Sequence, residues 1–328
     1  MNRQALFIYI YIPLLLLSSF CLTVNAQFDA QLSQYMMMPG YFNPGGICEG
    51  EEMNISISSR QQWVSIDNAP STFILHATLP KMINNKPNGF GLVIMKESIG
   101  LFDNQLLQIQ YAWKKNVYGG TLSIGIQGGL LQQNFDAGGI FIPTSDYHNS
   151  SDISIPNSDL EALIPDFSTG IWFRKSKFHA GISASHLLES KLKLKAGNES
   201  TDTTSYNTYA SRTYYLTSGY NIATSNPLYT LQPSFLLKTD LTAWQTDISV
   251  RLWYKERFWG TVGWRPKDAV ILSAGIKLDQ GLTIGYSYDV SLRALSSVSG
   301  GSHEIFIGFA KKIDTASTSK KQKSVRIL

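Results

Sequence analysis

The chain has 328 residues, a formal net charge of +4 and only 16% charged residues, below the roughly 25% of ordinary soluble domains. Six cations between Lys311 and Arg326 against Asp314 put +5 in the tail, which leaves −1 for the rest. A near-neutral body offers no basic face, and nucleic acid is excluded as a partner.

Residues 1–26 carry Arg3, the apolar run Ala5 to Leu17 and a small, polar close at Val24-Asn25-Ala26. That is the pattern of a secretory signal peptide cleaved before Gln27. Cleavage removes Cys21 and leaves Cys48 alone, so no intrachain disulfide framework is expected.

Residues 27–53 cannot form a ladder, because Pro39, Gly40, Pro44, Gly45 and Gly46 interrupt it. Tyr35, Met36, Met37, Met38, Tyr41 and Phe42 are nonetheless too apolar to stand in water. The segment is expected to pack on a lumen wall, a barrel rim or a partner.

From 54 to 310 the chain reads as about fourteen strands of alternating character, near 54–63, 71–80, 88–96, 105–115, 119–135, 166–175, 177–187, 212–223, 229–239, 244–255, 257–266, 269–278, 281–290 and 301–310. Val270 to Val290 is the clearest case. A loop of Asp279-Gln280-Gly281 puts Leu278 opposite Leu282 and Val270 opposite Val290, which keeps the apolar faces together, with Gly281 in the left-handed position.

Alternation alone does not say which face is outside. The polar faces are mostly Ser, Thr, Gly, Gln and Asn, which suits a lumen better than an aqueous exterior. Connections after even-numbered strands are mostly tight, as at Ser176. The two longest, 136–165 and 188–211, leave the same rim. On 244–254 the outward face runs Trp244, Thr246, Ile248, Val250, Leu252, Tyr254. Ten steps of about 3.4 Å, tilted by about 40°, give about 26 Å between the aromatics, the height of a membrane band. The reading is all-β: a closed antiparallel up-and-down transmembrane β-barrel with a lipid-facing exterior, both termini in the periplasm. Inward Asp247, Arg251, Trp253 and Trp259 predict a crowded lumen. Residues 311–328 are expected to be a disordered basic tail, with Lys320, Lys321, Lys323 and Arg326 free to contact an acidic partner, a cell-wall polymer or an anionic head group.

Catalytic and metal-binding patterns are weak. The five histidines fall on different strands or loops, with no HExxH, no paired-cysteine spacing and no GxSxG elbow. The arrangement left to test is a hydrolase built on His186 with Asp166 or Ser185. No cofactor is called for. Gly125, Gly128 and Gly129 read as relief of crowding inside strands.

Ser33-Gln-Tyr-Met, Tyr41-Phe-Asn-Pro, Arg60-Gln-Gln-Trp63 and Ala69-Pro70, with Gly89-Phe-Gly-Leu-Val, Tyr111-Ala-Trp and Pro165-Asp-Phe-Ser-Thr-Gly-Ile-Trp-Phe, resemble the PorP/SprF family of the Bacteroidetes type IX secretion system. The resemblance spans Gln27 to about Ala310. It implies a non-enzymatic outer-membrane accessory of type IX secretion or gliding motility, partnered by periplasmic and outer-membrane components of that system and by a secreted surface protein. The matching positions are Gln34, Tyr35, Met36, Pro39, Tyr41, Asn43, Pro44, Arg60, Gln62, Trp63, Ala69 and Pro70. Of these, Gln34, Asn43, Arg60 and Gln62 would hold the N-terminal segment against the barrel, with Tyr35, Tyr41 and Trp63 packing on it. Met36-Met-Met and the long basic tail depart from the family pattern. A porin-like channel for small solutes is the alternative.

Overall fold

The computed structural model describes residues 29–140, 156, 158–196, 206–292 and 294–313. The expected leader and the tail residues Lys320, Lys321, Lys323 and Arg326 lie outside them. Three short helical turns, Tyr35–Met37, Pro39–Phe42 and Pro44–Gly46, precede the strands. The strands are β1 (Glu52–Gln61), β2 (Ser71–Ile83), β3 (Lys86–Ile99), β4 (Phe102–Val117), β5 (Gly120–Phe135), β6 (Leu160–Lys175), β7 (Phe178–Ser185), β8 (Lys191–Ala196), β9 (Tyr206–Tyr209), β10 (Thr213–Tyr220), β11 (Ile222–Ala223), β12 (Tyr229–Thr239), β13 (Trp244–Tyr254), β14 (Phe258–Arg265), β15 (Ala269–Lys277), β16 (Leu282–Ser291) and β17 (Ser302–Lys312).

Neighbours in sequence pair antiparallel, β7 pairs with β10, and β1 pairs with β17 to close the cylinder. With β10 and β11 forming one stave, and β8–β9 forming a loop hairpin whose β8 pairs antiparallel with the start of β6, the barrel has fourteen strands. Closure leaves no edge facing lipid, which a membrane-spanning sheet requires.

The Val270–Val290 hairpin has the expected register. Val270 faces Val290, the Leu278 N–H donates to Leu282 O, and Gly281 has φ +84°. Leu272, Ile284 and Tyr286 are 47%, 41% and 47% exposed, whereas Ser287 and Asp289 are 0% and 1% exposed. The oily stripe therefore faces outward and the polar stripe faces the lumen. Ile271, the one apolar residue on the polar stripe, is buried inside.

Two features depart from expectation. β6 begins at Leu160, because Leu160–Pro165 finds hydrogen-bonding partners along Leu130–Phe135. The span 188–211, expected to be loop throughout, contains the β8–β9 hairpin. Lys-Leu-Lys-Leu-Lys in β8 is a period-two signal, with Leu192 and Leu194 buried and Lys191 and Lys193 exposed.

The lumen is filled from above by the N-terminal segment. Asp29 lies at the long-loop end beside His186, and Glu49 lies at the short-turn end beside Arg174. The last described residue, Ile313, is at the short-turn end, where its N–H donates to Glu51 O. The two ends of the described chain, residues 29 and 313, thus lie at opposite rims of the barrel. The cause is that residues 29–48 traverse the lumen before β1 begins. The termini expected in the periplasm fall outside the described residues.

Candidate functional site

The site is the seat of that segment together with the space above it. Ala30, Leu32, Tyr35, Met38 and Phe42 join Ile74, Leu106, Leu131 and Phe306 of the wall in one apolar cluster, with Met36 and Tyr41 packed on its edge. This burial uses lumen positions where the strands carry apolar residues against the prevailing polar pattern. The Tyr35 hydroxyl meets Ser234 Oγ at 2.9 Å.

A buried charged network fixes the upper half. Glu304 on β17 accepts from the main-chain N–H groups of Ser33 (2.6 Å) and Gln34 (3.0 Å). Arg60 on β1 reaches Asp289 at 2.8 Å, Glu304 at 3.5 Å and the Ser33 hydroxyl at 2.8 Å. Arg265, 0% exposed, joins Asp247 at 2.6 Å and Asp289 at 3.1 Å. Carboxylates taken out of water must have their lone pairs met. Here the plug backbone supplies donors that strand neighbours do not, each charge-assisted bond contributing about 1.5–3 kcal/mol.

The lower half rests on glycine. Asn43 caps the turn by accepting from the Gly45 N–H at 2.8 Å, and its amide donates to Ile171 O (3.0 Å) and Ile182 O (3.2 Å) on β6 and β7. A methyl group at Gly125 would come closer than 3.0 Å to the backbone of Pro44 and Gly45, and one at Gly170 would meet Asn43 Cγ at 2.8 Å. Gly125 therefore relieves crowding against the plug itself. Beyond the cradle, Lys114 Nζ donates to Cys48 O, and Glu49 accepts from Trp172 Nε1 and Arg174 Nη1, both at 2.7 Å.

Of the twelve motif positions, Gln34, Tyr35, Asn43, Pro44 and Arg60 come together in the lumen, and Pro39 starts the short helix that holds Tyr41. Gln62 and Trp63 line the space above instead. The Gln62 N–H donates to Pro70 O, the Trp63 N–H to Ser302 Oγ and the Ala69 N–H to Ile66 O, which closes the β1–β2 loop. Among the described residues neither Gln62 nor Trp63 hydrogen-bonds the plug. The expected crowding is present: Asp247, Arg251 and Trp259 are buried, and the Arg251 guanidinium lies 4.7 Å from the Trp259 ring.

Above the plug is a vestibule of about 1010 Å³, floored by Asp29, Gln31 and Tyr41 and walled by Phe102, Leu131 and Tyr215 among others. At its base His186, in the loop after β7, bonds Asp166 through Nδ1 and Asp29 through Nε2, both at 2.8 Å. Each ring nitrogen is occupied by a carboxylate, so no serine hydroxyl is activated there. The Tyr215 hydroxyl donates to the other Asp29 oxygen at 2.5 Å. Sequence reasoning missed Asp29 and Glu304 as plug contacts, since neither stands in a motif.

Among the solved structures similar to this one are channels, porins and a transporter. They include the Pseudomonas putida toluene transporter TodX (7% identity, 84% of this chain and 93% of that chain, TM-score 0.48) and the CymD monoaromatic hydrocarbon channel (11%, 88% and 95%, 0.46). No functionally curated relative matches the chain. The fourteen-stranded barrel, its lumen segment and the motifs at Ser33–Pro44 and Arg60–Trp63 fall within a match over residues 24–309 to the Type IX secretion system membrane protein PorP/SprF, and the chain belongs to that family.

Proposed function

We propose that the protein is a non-enzymatic accessory of type IX secretion, a barrel that anchors other components in the outer membrane rather than a conduit for solutes. The observation that carries this reading is the filled lumen: about twenty residues, 29–48, are bonded to both halves of the wall. An open pore gains nothing from such a network, whereas an anchoring platform gains rigidity. On this reading the short-turn face and the chain after Ile313 meet periplasmic ring components, and the vestibule and long loops meet a secreted surface protein. His186, held between two carboxylates, serves the plug.

The test is a planar-bilayer recording of the purified chain, paired with affinity purification from native outer membranes. Silence together with co-elution of type IX ring components is the expected result. A large steady conductance without such partners would favour the porin-like alternative.

A further inference from the structure

The body of the chain is near neutral, yet its cations are not evenly placed. On the short-turn rim Lys81, Lys115, Lys175 and Lys311 are all exposed, and all occupy outward positions of their strands. Each continues a lipid-facing stripe. Lys115 stands two residues after Trp113, Lys175 two after Phe173, Lys311 two after Phe309, and Lys81 lies between the exposed Leu79 and Ile83. None of the four has a carboxylate partner among the described residues.

We propose that these four lysines form a belt that binds the anionic headgroups of phospholipids in the adjoining leaflet. Strand parity chooses lipid over an acidic protein. Side chains two residues beyond a membrane-facing aromatic lie beside the barrel at headgroup depth, where an apolar stem packs on the wall and the ammonium reaches the phosphate. A protein docking from below would meet a different set: Lys177 and Arg257 in turns, and Lys277 and Lys312 at lumen-side positions. The two sets lie on one rim with the same charge, so each serves as the control for the other.

The probe is palmitoyl-oleoyl phosphatidylglycerol, with the phosphatidylcholine of the same chains and soluble glycerol phosphate as comparison arms. Native mass spectrometry of the full chain released from detergent counts bound lipids. Phosphatidylglycerol is expected to be retained over phosphatidylcholine, with glycerol phosphate not retained. Each belt lysine changed to Gln should weaken retention about fivefold at its site. The set K81Q, K115Q, K175Q and K311Q should abolish the preference, and the set K177Q, R257Q, K277Q and K312Q should keep it. If the fourfold belt variant does not fold, K115Q and K175Q measured singly carry the same comparison. Equal loss in both sets, retention of glycerol phosphate, or no preference in the unmodified chain overturns the proposal.

Discussion

Gly125→Ala probes the seat of the plug. A Cβ there would lie closer than 3.0 Å to backbone atoms of Pro44 and Gly45, where ordinary contact begins at 3.4 Å. Backbone has no rotamer to escape into, so the turn must retreat by about 1 Å or more to reach ordinary contact. Asn43 moves with it, and its 3.0 and 3.2 Å bonds to Ile171 O and Ile182 O are carried past the limit for hydrogen bonding. Two lost bonds with their buried carbonyls cost about 3 kcal/mol, a shift of roughly a hundredfold toward the released plug. Cys48 supplies the readout. Its thiol is 4% exposed, which slows alkylation in the seated plug. The rate of maleimide labelling of Cys48 in the folded barrel should therefore rise roughly a hundredfold in the variant. An unchanged rate, with the barrel still resistant to SDS at room temperature, would refute the claim that Gly125 is small to admit the plug.

Removal of residues 29–48 should leave the fourteen strands paired and convert a silent protein into one with steady conductance in a planar bilayer. A deletion variant that folds and stays silent contradicts the assignment of the segment as the closure. Gly281→Ala forces a left-handed backbone on a residue with a Cβ and should cost about 1–2 kcal/mol. The expected sign is a lower temperature for the heat-induced gel shift, while the neutral change Gln280→Ala leaves it in place. His186 gives a pH dependence. Burial disfavours its charge, but the Asp29 carboxylate and hydrogen bonds to Asp166 and Asp29 raise its pKa well above the usual value. Its contribution is full below about pH 6.5 and is lost as pH rises through the raised value. His186→Gln should therefore lower thermal stability at pH 6 and converge with the unmodified chain at alkaline pH. A constant gap across that range would show that the ion pairs do not hold Asp29.

Much of the barrel was legible because membrane strands obey a local rule. Alternation, tight turns and the Trp244–Tyr254 spacing are set by neighbours within one or two hairpins, and hairpin register follows from loop length. The hairpin β8–β9 carried the same signal in a shorter run, and a Ser/Thr-rich setting obscured it. The motif positions were legible as a group, but their division was not. Arg60 reaches the plug whereas Gln62 and Trp63, two and three residues on, line the vestibule above it from the β1–β2 loop, where Trp63 takes φ +51°.

The amino-acid order alone determined the fourteen staves, their oily and polar faces and the lack of a basic body. Folding in three dimensions decided the course of residues 29–48 through the lumen, the pairing of Ser33 with Glu304 across 271 positions of sequence, and the gathering of scattered lysines onto one rim. The physical reason is distance along the chain. Alternation is written into every adjacent pair of residues, whereas a plug contact depends on which wall residues closure of the barrel brings beside it.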